Sequence, residues 1–451
     1  MAHGIDQHGI DQHGIDQHGI DQHGIDQHGI DQHGIDQHSI DQHGIDQHGM
    51  EQVAPLLQEP ANFQMRTGCD PHEENFDLRA HGPLVRLVGD SSTQLGRDYV
   101  WQAHGYDVVR KILGDHENFT TRPQFTHAKS DAHVEAQFVG QISTYDPPEH
   151  TRLRKMLTPE FTVRRIRRME PAIQGLIDDR LDMVEAEGPP ADLQGLFADP
   201  VGALALCELL GIPRDDQREF VRRIRRNTDL SRGLKARAAD SAAFNRYLDN
   251  LISRQRKDPD EGFLGMIVRE HGDNVTDEEL KGLCTALILG GVETVAGMIG
   301  FGVLALLENP DQIQLLFAGP EKADRVVNEL VRYLSPVQAP NPRLAIKDVV
   351  IDGQLIKAGD YVLCSVLMAN RDEALTPNPN VLDANRAAVS DVGFGHGIHY
   401  CVGAALARSM LRMAYQTLWQ RFPGLRLAVP IAEVKYRSAF VDCPDQVPVT
   451  W

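Results

Sequence analysis

The sequence predicts a mostly α, α+β fold, on three observations. Helical apolar spacing dominates from Pro148 to Leu334, short strand-like runs lie on either side of that region, and the run from Asp277 to Glu308 is apolar nearly all round from Leu283 to Leu307. A helix of that composition has no polar face for solvent and must cross the middle of the protein. The chain has 451 residues, 41% apolar and 24% charged, which is ample for a large core.

In chain order, the first segment stands apart. Residues 4–48 are nine pentapeptides of the form Gly-Ile-Asp-Gln-His, with Ser39 replacing one glycine, followed by a degenerate Gly49-Met50-Glu51-Gln52-Val53. A period of five matches neither 3.6 nor 2.0, so the isoleucines form no stripe, and residues 1–53 read as a disordered low-complexity tail. The tail holds ten of the twenty histidines, so a metal-binding role and a repeat without function both stay open. It also holds nine Asp and Glu51 with no Lys or Arg; ten of the nineteen net negative charges lie there and nine on the remainder.

From residue 54 to 451 the chain reads as one domain, with no linker to divide it. Val85 to Val88 and Tyr99 to Gln102 look like short strands, and Tyr106 to Leu113 like a helix. After an irregular stretch from Thr120 to Ser143 come helical patterns at Pro148 to Leu157, Arg164 to Ala186, Pro200 to Leu210, Asp215 to Thr228 and Leu234 to Arg256. Asp277 to Glu308 follows, opened by Thr276 and Glu279 as a capping box, then Gln312 to Phe317 and Glu321 to Leu334. Strand signals return at Arg343 to Ile346, Val349 to Ile351, Tyr361 to Ser365 and the C-terminus.

The sequence lacks the dominant basic face of a nucleic-acid binder. It also lacks the ~18–20 uninterrupted apolar residues of a membrane span and the basic and apolar regions of a secretory leader, so a soluble cytoplasmic protein is expected. Six cysteines without paired metal-ligand spacing suit a reducing compartment.

Three groups of residues carry chemistry. The first is Gly393-Phe394-Gly395-His396-Gly397-Ile398-His399-Tyr400-Cys401-Val402-Gly403, which fixes one cysteine in a glycine-rich loop ahead of the helix-like run Ala404 to Leu411. Gly395 and Gly397 permit tight turns and close approach of the backbone to a large planar ligand, while the helix start favours an anion at Cys401. That layout holds a single thiolate against a flat metal macrocycle. The other five cysteines, Cys69, Cys207, Cys284, Cys364 and Cys443, read as inert core residues. The second group is Leu289-Gly290-Gly291-Val292-Glu293-Thr294 inside the long helix. Two glycines in a helix interior cost about 1 kcal/mol each relative to alanine, and an acid beside a hydroxyl in an apolar helix needs a partner. Taken alone, a widened ligand site and a packing notch with Thr294 bonded to a carbonyl are equal readings. The third is Glu329 and Arg332, one helical turn apart, which on a surface would contribute only ~0.2–0.5 kcal/mol.

The F-G-x-G-x-H-x-C-x-G string resembles the haem-ligand signature of the cytochrome P-450 family, and the resemblance covers about residues 60–451 with the main motifs in family order. It implies the cytochrome P-450 fold, a large helical domain with a long central helix and a small β-rich region. Haem b (iron protoporphyrin IX) would be ligated by Cys401, with Phe394 and Gly403 of the loop and Gly290 and Gly291 of the long helix against the ring. His150 and Arg154, in Asp146-Pro147-Pro148-Glu149-His150-Thr151-Arg152-Leu153-Arg154, together with Arg343 and His399, would hold the propionates. Glu293 and Thr294 match the family's A-G-x-D/E-T motif, with Gly290 in place of the usual alanine, and would support proton delivery to bound dioxygen. Glu329 and Arg332 match its buried E-x-x-R ion pair; Arg386 is the nearest candidate for a third member, Val381 standing where many relatives have an arginine.

Arg152, Lys155, Arg164, Arg165, Arg167, Arg168, Arg408 and Arg412 would surround the face near Cys401, suited to an acidic ferredoxin. Substrate contacts would come from residues 121–143, Arg222 to Leu234, Leu287, Gly291, Val337 to Asn341 and Ala439 to Val441. The arginines at 222, 223, 225, 226, 232 and 237 could meet an acidic carrier protein, although a solvated helix face is the simpler reading.

The closest look is to actinobacterial members of antibiotic pathways, including those acting on carrier-bound peptides in glycopeptide assembly. The implied function is a monomeric haem-thiolate monooxygenase that hydroxylates a small-molecule natural product. Electrons would come from NAD(P)H through ferredoxin reductase and ferredoxin. Oxidative phenol or aryl coupling of an aromatic, carrier-bound peptide is the alternative within the chemistry; retention of Glu293 and Thr294 argues for oxygen insertion. A non-catalytic haem- or metal-binding module built on the histidine tail is the alternative of another class.

Overall fold

The computed structural model describes residues 54, 56–59, 66–67, 69–71, 73–122, 138–228, 234–337, 341–437 and 441–451. The expected tail 1–53 lies outside them. The 32-residue helix Asp277–Glu308 begins at the expected capping box: Thr276 Oγ1 accepts from the Glu279 amide at 3.2 Å, and the Thr276 amide donates to Glu279 Oε2 at 2.9 Å. Burial at Leu280, Leu283, Cys284 and again from Val295 through Leu306 makes it the axis of the main core, with Leu289 and Gly290 exposed between them. By length and composition it could cross a membrane, but its most apolar stretch is 67% buried by the fold. Helices Val163–Glu187, Asp199–Leu210, Leu234–Lys257, Pro320–Leu334 and Ala404–Arg421 supply the rest of that core through residues such as Ile173, Leu206, Leu248, Leu330 and Tyr415.

The β-rich part is a six-stranded sheet. Its order is Leu56–Gln58, Leu84–Val88, Val100–Ala103, Tyr361–Cys364, Arg343–Ala345, Phe119–Thr120. The first and second strands, and the third and fourth, pair parallel; the other pairs are antiparallel. Sequence-distant strands therefore meet, and Arg343 is carried beside the segment that ends at Thr120. A short hairpin, Tyr436–Arg437 with Cys443–Pro444, packs near the C-terminus.

Several boundaries differ from expectation for local reasons. Ser365 is the N-cap of a short helix, Val366–Asn370, its Oγ accepting from the Met368 amide at 3.3 Å, and so ends the strand one residue early. The expected helix at Gln312 divides into Pro310–Ile313 and a tighter turn, Gln314–Phe317. Helices Glu73–Arg79 and Phe263–His271 were not anticipated; each is under ten residues, too short for its apolar spacing to stand out.

Candidate active site

The cysteine loop is built by two glycines and two backbone hydrogen bonds. Gly395 and Gly397 take φ of +75° and +74°, a region unfavourable to other residues. The Gly395 amide donates to Val392 O at 2.8 Å, and the Cys401 amide donates to Phe394 O at 2.9 Å. A Cβ on Gly397 would lie 2.7 Å from Leu113 O, so only glycine lets the loop rest on the end of helix Tyr106–Gly114. Cys401 stands three residues before helix Ala404–Arg421. The amides of Gly403 and Ala404 point at its sulfur, and Arg154 and Arg408 lie near enough to favour a thiolate; burial outweighs them and pushes the thiol up overall. A coordinated cation would complete deprotonation here, the usual behaviour of a ligating thiol. The Phe394 ring lies under the Arg408 guanidinium, 4.3 Å from its centroid. None of the six cysteines is in a disulfide; the other five are buried, and burial pushes Cys207, Cys284 and Cys364 up to about 12.

Four basic residues from three separate elements converge. Helix Glu149–Leu157 carries His150 and Arg154, the strand Arg343–Ala345 begins with Arg343, and the cysteine loop supplies His399. The His150 and His399 rings meet edge-on with centroids 4.6 Å apart. His399 is pushed down to about 3 by burial and by the charges of Arg343, His150 and Arg154. Arg343, Arg154 and His150 are pushed down as well, burial first in each case. Among the described residues none of the four forms an ion pair, and His150 Nε2 is buried without a hydrogen-bond partner. Asp146, which accepts from Thr120, is the one carboxylate that acts on both Arg343 and His150. Such a cluster fits a ligand bearing carboxylates, whose charge would oppose each of these shifts. Together with the single aimed thiol it fits the propionates and iron of haem. No cluster of three or more His, Cys, Asp or Glu suited to a bare metal ion occurs among the described residues.

Across the long helix the wall opens. A Cβ on Gly290 would meet nothing within 4 Å, and one on Gly291 only Leu206 Cδ1 at 3.7 Å. The glycines therefore leave space instead of admitting a packed neighbour. Thr294 Oγ1 donates to Gly290 O at 2.6 Å, so the carbonyl bond weighed against a ligand role coexists with the open wall. Glu293 is half-buried and lies in electrostatic reach of Cys443 on the C-terminal hairpin.

Glu329 and Arg332 form a buried fork, Nε to Oε2 at 2.8 Å and Nη2 to Oε1 at 2.7 Å, with side chains 4% and 1% exposed. Arg386 is the third member, its Nε 2.9 Å from Glu329 Oε1. Val381 contributes its carbonyl, accepting from both Arg386 and Arg332. Two residues that sequence reasoning passed over pack beside this ion pair, and the first of them, Asn370, completes the link to the cysteine loop. Asn370 Nδ2 donates to Ser335 Oγ at 2.8 Å, and its Oδ1 accepts from the Val392 amide at 2.8 Å. Arg371 lies over the Tyr333 ring at 3.5 Å. The only signal was two polar residues closing an apolar run.

The basic residues expected around Cys401 divide into three sets, the first being Arg408 alone, which packs over Phe394 and donates to Asn328 Oδ1 at 2.7 Å. Arg152, Arg165, Arg168 and Arg412 pair with Glu279, Glu160, Glu261, and Glu170 with Asp324, respectively. Lys155, Arg164 and Arg167 are exposed. Arg222 and Arg223 pair with Glu219, Arg225 with Asp199 and Arg226 with Asp240; Arg232 and the Arg237 side chain lie outside the described residues. So do most of the expected substrate loops, at 123–137, 338–340 and 438–440.

Comparison with known proteins gives a consistent result. Residues 323–425 match the family model described as Cytochrome P450. The chain is 91% identical over 400 residues to "Cytochrome P450 165C4" of Amycolatopsis orientalis, covering 89% of this chain and 98% of that one. Its fold is similar, with TM-score 0.86 and 88% identity over 89% of this chain and 100% of that one, to the crystal structure of OxyC, a cytochrome P450 implicated in an oxidative C–C coupling reaction during vancomycin biosynthesis. OxyB in its complex with the X-domain, from teicoplanin biosynthesis, gives TM-score 0.78 and 49% identity over 87% of this chain and 100% of that one.

Proposed function

Because the chain belongs to the cytochrome P450 family, we propose that it joins two aromatic side chains of a peptide through a new C–C bond, in the assembly of a glycopeptide antibiotic. The observation that carries this reading is the 88% identity to the vancomycin coupling enzyme across the whole of that chain. It puts coupling at least level with the hydroxylation expected from the sequence; the Glu293 and Thr294 pair remains the specific observation in favour of oxygen insertion as the second reading.

Cys401 would ligate haem b, and His150, Arg154, Arg343 and His399 would hold its propionates. When bound, the haem supplies dioxygen activation, with thiolate donation favouring O–O cleavage. The protein's part is to orient and to move protons. The Thr294 hydroxyl holds a proton at Oγ1 beside the gap left by Gly290, and Glu293 would take part in renewing it, as the family resemblance implies. In coupling, two ring C–H bonds break and one C–C bond forms. The two hydrogens removed, with two electrons and two protons from outside, reduce dioxygen to two waters. The electrons would come from NAD(P)H through ferredoxin reductase and ferredoxin, for which the exposed Lys155, Arg164 and Arg167 provide complementary charge. The OxyB complex with an X-domain supports a substrate presented on a carrier protein.

The test is product mass. A carrier-bound aromatic peptide turned over with a ferredoxin system is expected to lose two hydrogens, with labelled dioxygen appearing only in water; gain of one labelled oxygen atom selects hydroxylation instead. Cys401→Ser is expected to abolish the red-shifted Soret band of the reduced carbon monoxide complex.

A further inference from the structure

The Cys443–Pro444 strand lies directly against the long helix, in the turn that follows Glu293 and Thr294. A Cβ on Gly297 would stand 2.6 Å from Asp442 O, and one on Gly300 would meet Gln194 Oε1 and Pro444. The Phe301 and Tyr436 rings stack at 5.7 Å, and Gln194 Nε2 reaches Ala296 O at 3.4 Å. The other side of the hairpin is tied to a single carboxylate. Arg437 reaches Asp199 with Nη1 to Oδ2 at 3.2 Å and Nη2 to Oδ1 at 2.8 Å, while the same Nη2 donates to Cys443 Sγ at 2.9 Å. Gln194 Nε2 donates to Asp199 Oδ1 at 2.6 Å and to Cys443 Sγ at 3.2 Å. From helix Arg214–Thr228, Arg225 Nη2 reaches Asp199 Oδ2 at 3.1 Å.

One carboxylate, with its side chain 15% exposed, thus serves two guanidiniums and an amide from three elements. Removing it would leave Arg437 without a counter-charge beside a neutral thiol. The hairpin would then lose the ion pair that joins it to helix Asp199–Leu210 and braces it from the side away from the long helix.

We propose that Asp199 is a positioning residue for substrate fit: by holding Arg437 it sets the place of the C-terminal hairpin beside Glu293, and so the shape of the space that a bulky aromatic ligand must fill above Cys401. The inference rests on the reading of Glu293 and Thr294 as part of the wall over the haem. An ion pair serving only fold stability would weaken all ligands alike; a positioning role depends on ligand size.

The experiment uses the haem-loaded full chain and two probes that coordinate iron, imidazole and 4-phenylimidazole, each titrated by its Soret shift. Asp199→Asn is expected to weaken 4-phenylimidazole about tenfold while leaving imidazole within about twofold, with faster amide exchange at residues 441–445; Asp199→Glu is expected to restore both. Arg225→Gln removes only the limb whose side chain is 65% exposed, so it tests the idea even where Asp199→Asn fails to fold; a loss of about threefold is expected for the larger probe alone. Equal loss of both probes, or loss of neither, overturns the proposal. A wild-type reduced carbon monoxide complex without the red-shifted Soret band defeats instead the haem-thiolate reading beneath it.

Discussion

At Cys401, burial works against the thiolate while two amides and two arginines work for it, and a bound metal would tip the balance to the ionised sulfur. His104 shows the same contest without a metal. It is buried on the sheet side, with Nε2 against Gly82 O, and burial pushes it from 6.5 down to about 4. The native protein keeps this imidazole neutral, whereas the unfolded chain takes up a proton as pH falls through about 6.5. Its contribution is present above 6.5 and disappears as pH falls through about 4, a loss of roughly 3 kcal/mol in full. His104→Gln, which keeps a donor for Gly82 O, is expected to flatten the fall of thermal midpoint between pH 7 and 4; an unchanged slope counts against this assignment.

The long helix shows how one element carries opposite demands on the same residue type. At Gly290 an added methyl meets open space, so Gly290→Ala is expected to stabilise the protein by about 0.5–1 kcal/mol through helix propensity alone. At Gly282 the same methyl would run into Val139 O and the Gly140 Cα, both backbone, so Gly282→Ala is expected to destabilise by about 1–3 kcal/mol. Thermal unfolding of the two variants side by side decides it: matching signs would show that the gap at Gly290 is closed. The element thus separates a glycine kept for packing from one that leaves room for a ligand.

Across the whole molecule, Glu329 joins helix Pro320–Leu334 to the segment before the cysteine loop, because it is the shared anion of Arg332 and Arg386. Glu329→Gln leaves two inward guanidiniums without a counter-charge and is expected to cost about 3–5 kcal/mol, read as a lower denaturant midpoint; a loss under about 1 kcal/mol would mean that the pair behaves like a surface bridge. By itself the sequence determined the long helix and its cap, most of the helices around it, the single cysteine in its glycine loop and the Glu-x-x-Arg pair. Those are local patterns: periodicity, caps and turn residues act over a few positions and can be read within one window. The family resemblance grouped His150, Arg154, Arg343 and His399, and the tertiary structure brings them together; it alone decided that Asn370 ties the ion pair to Val392 and that Asp199 reaches across to Arg437. These contacts join residues as far apart as 249 positions, in the case of His150 and His399. No periodicity records them, because such contacts are fixed by how buried helices and strands pack and by the need to pair each polar group enclosed between them.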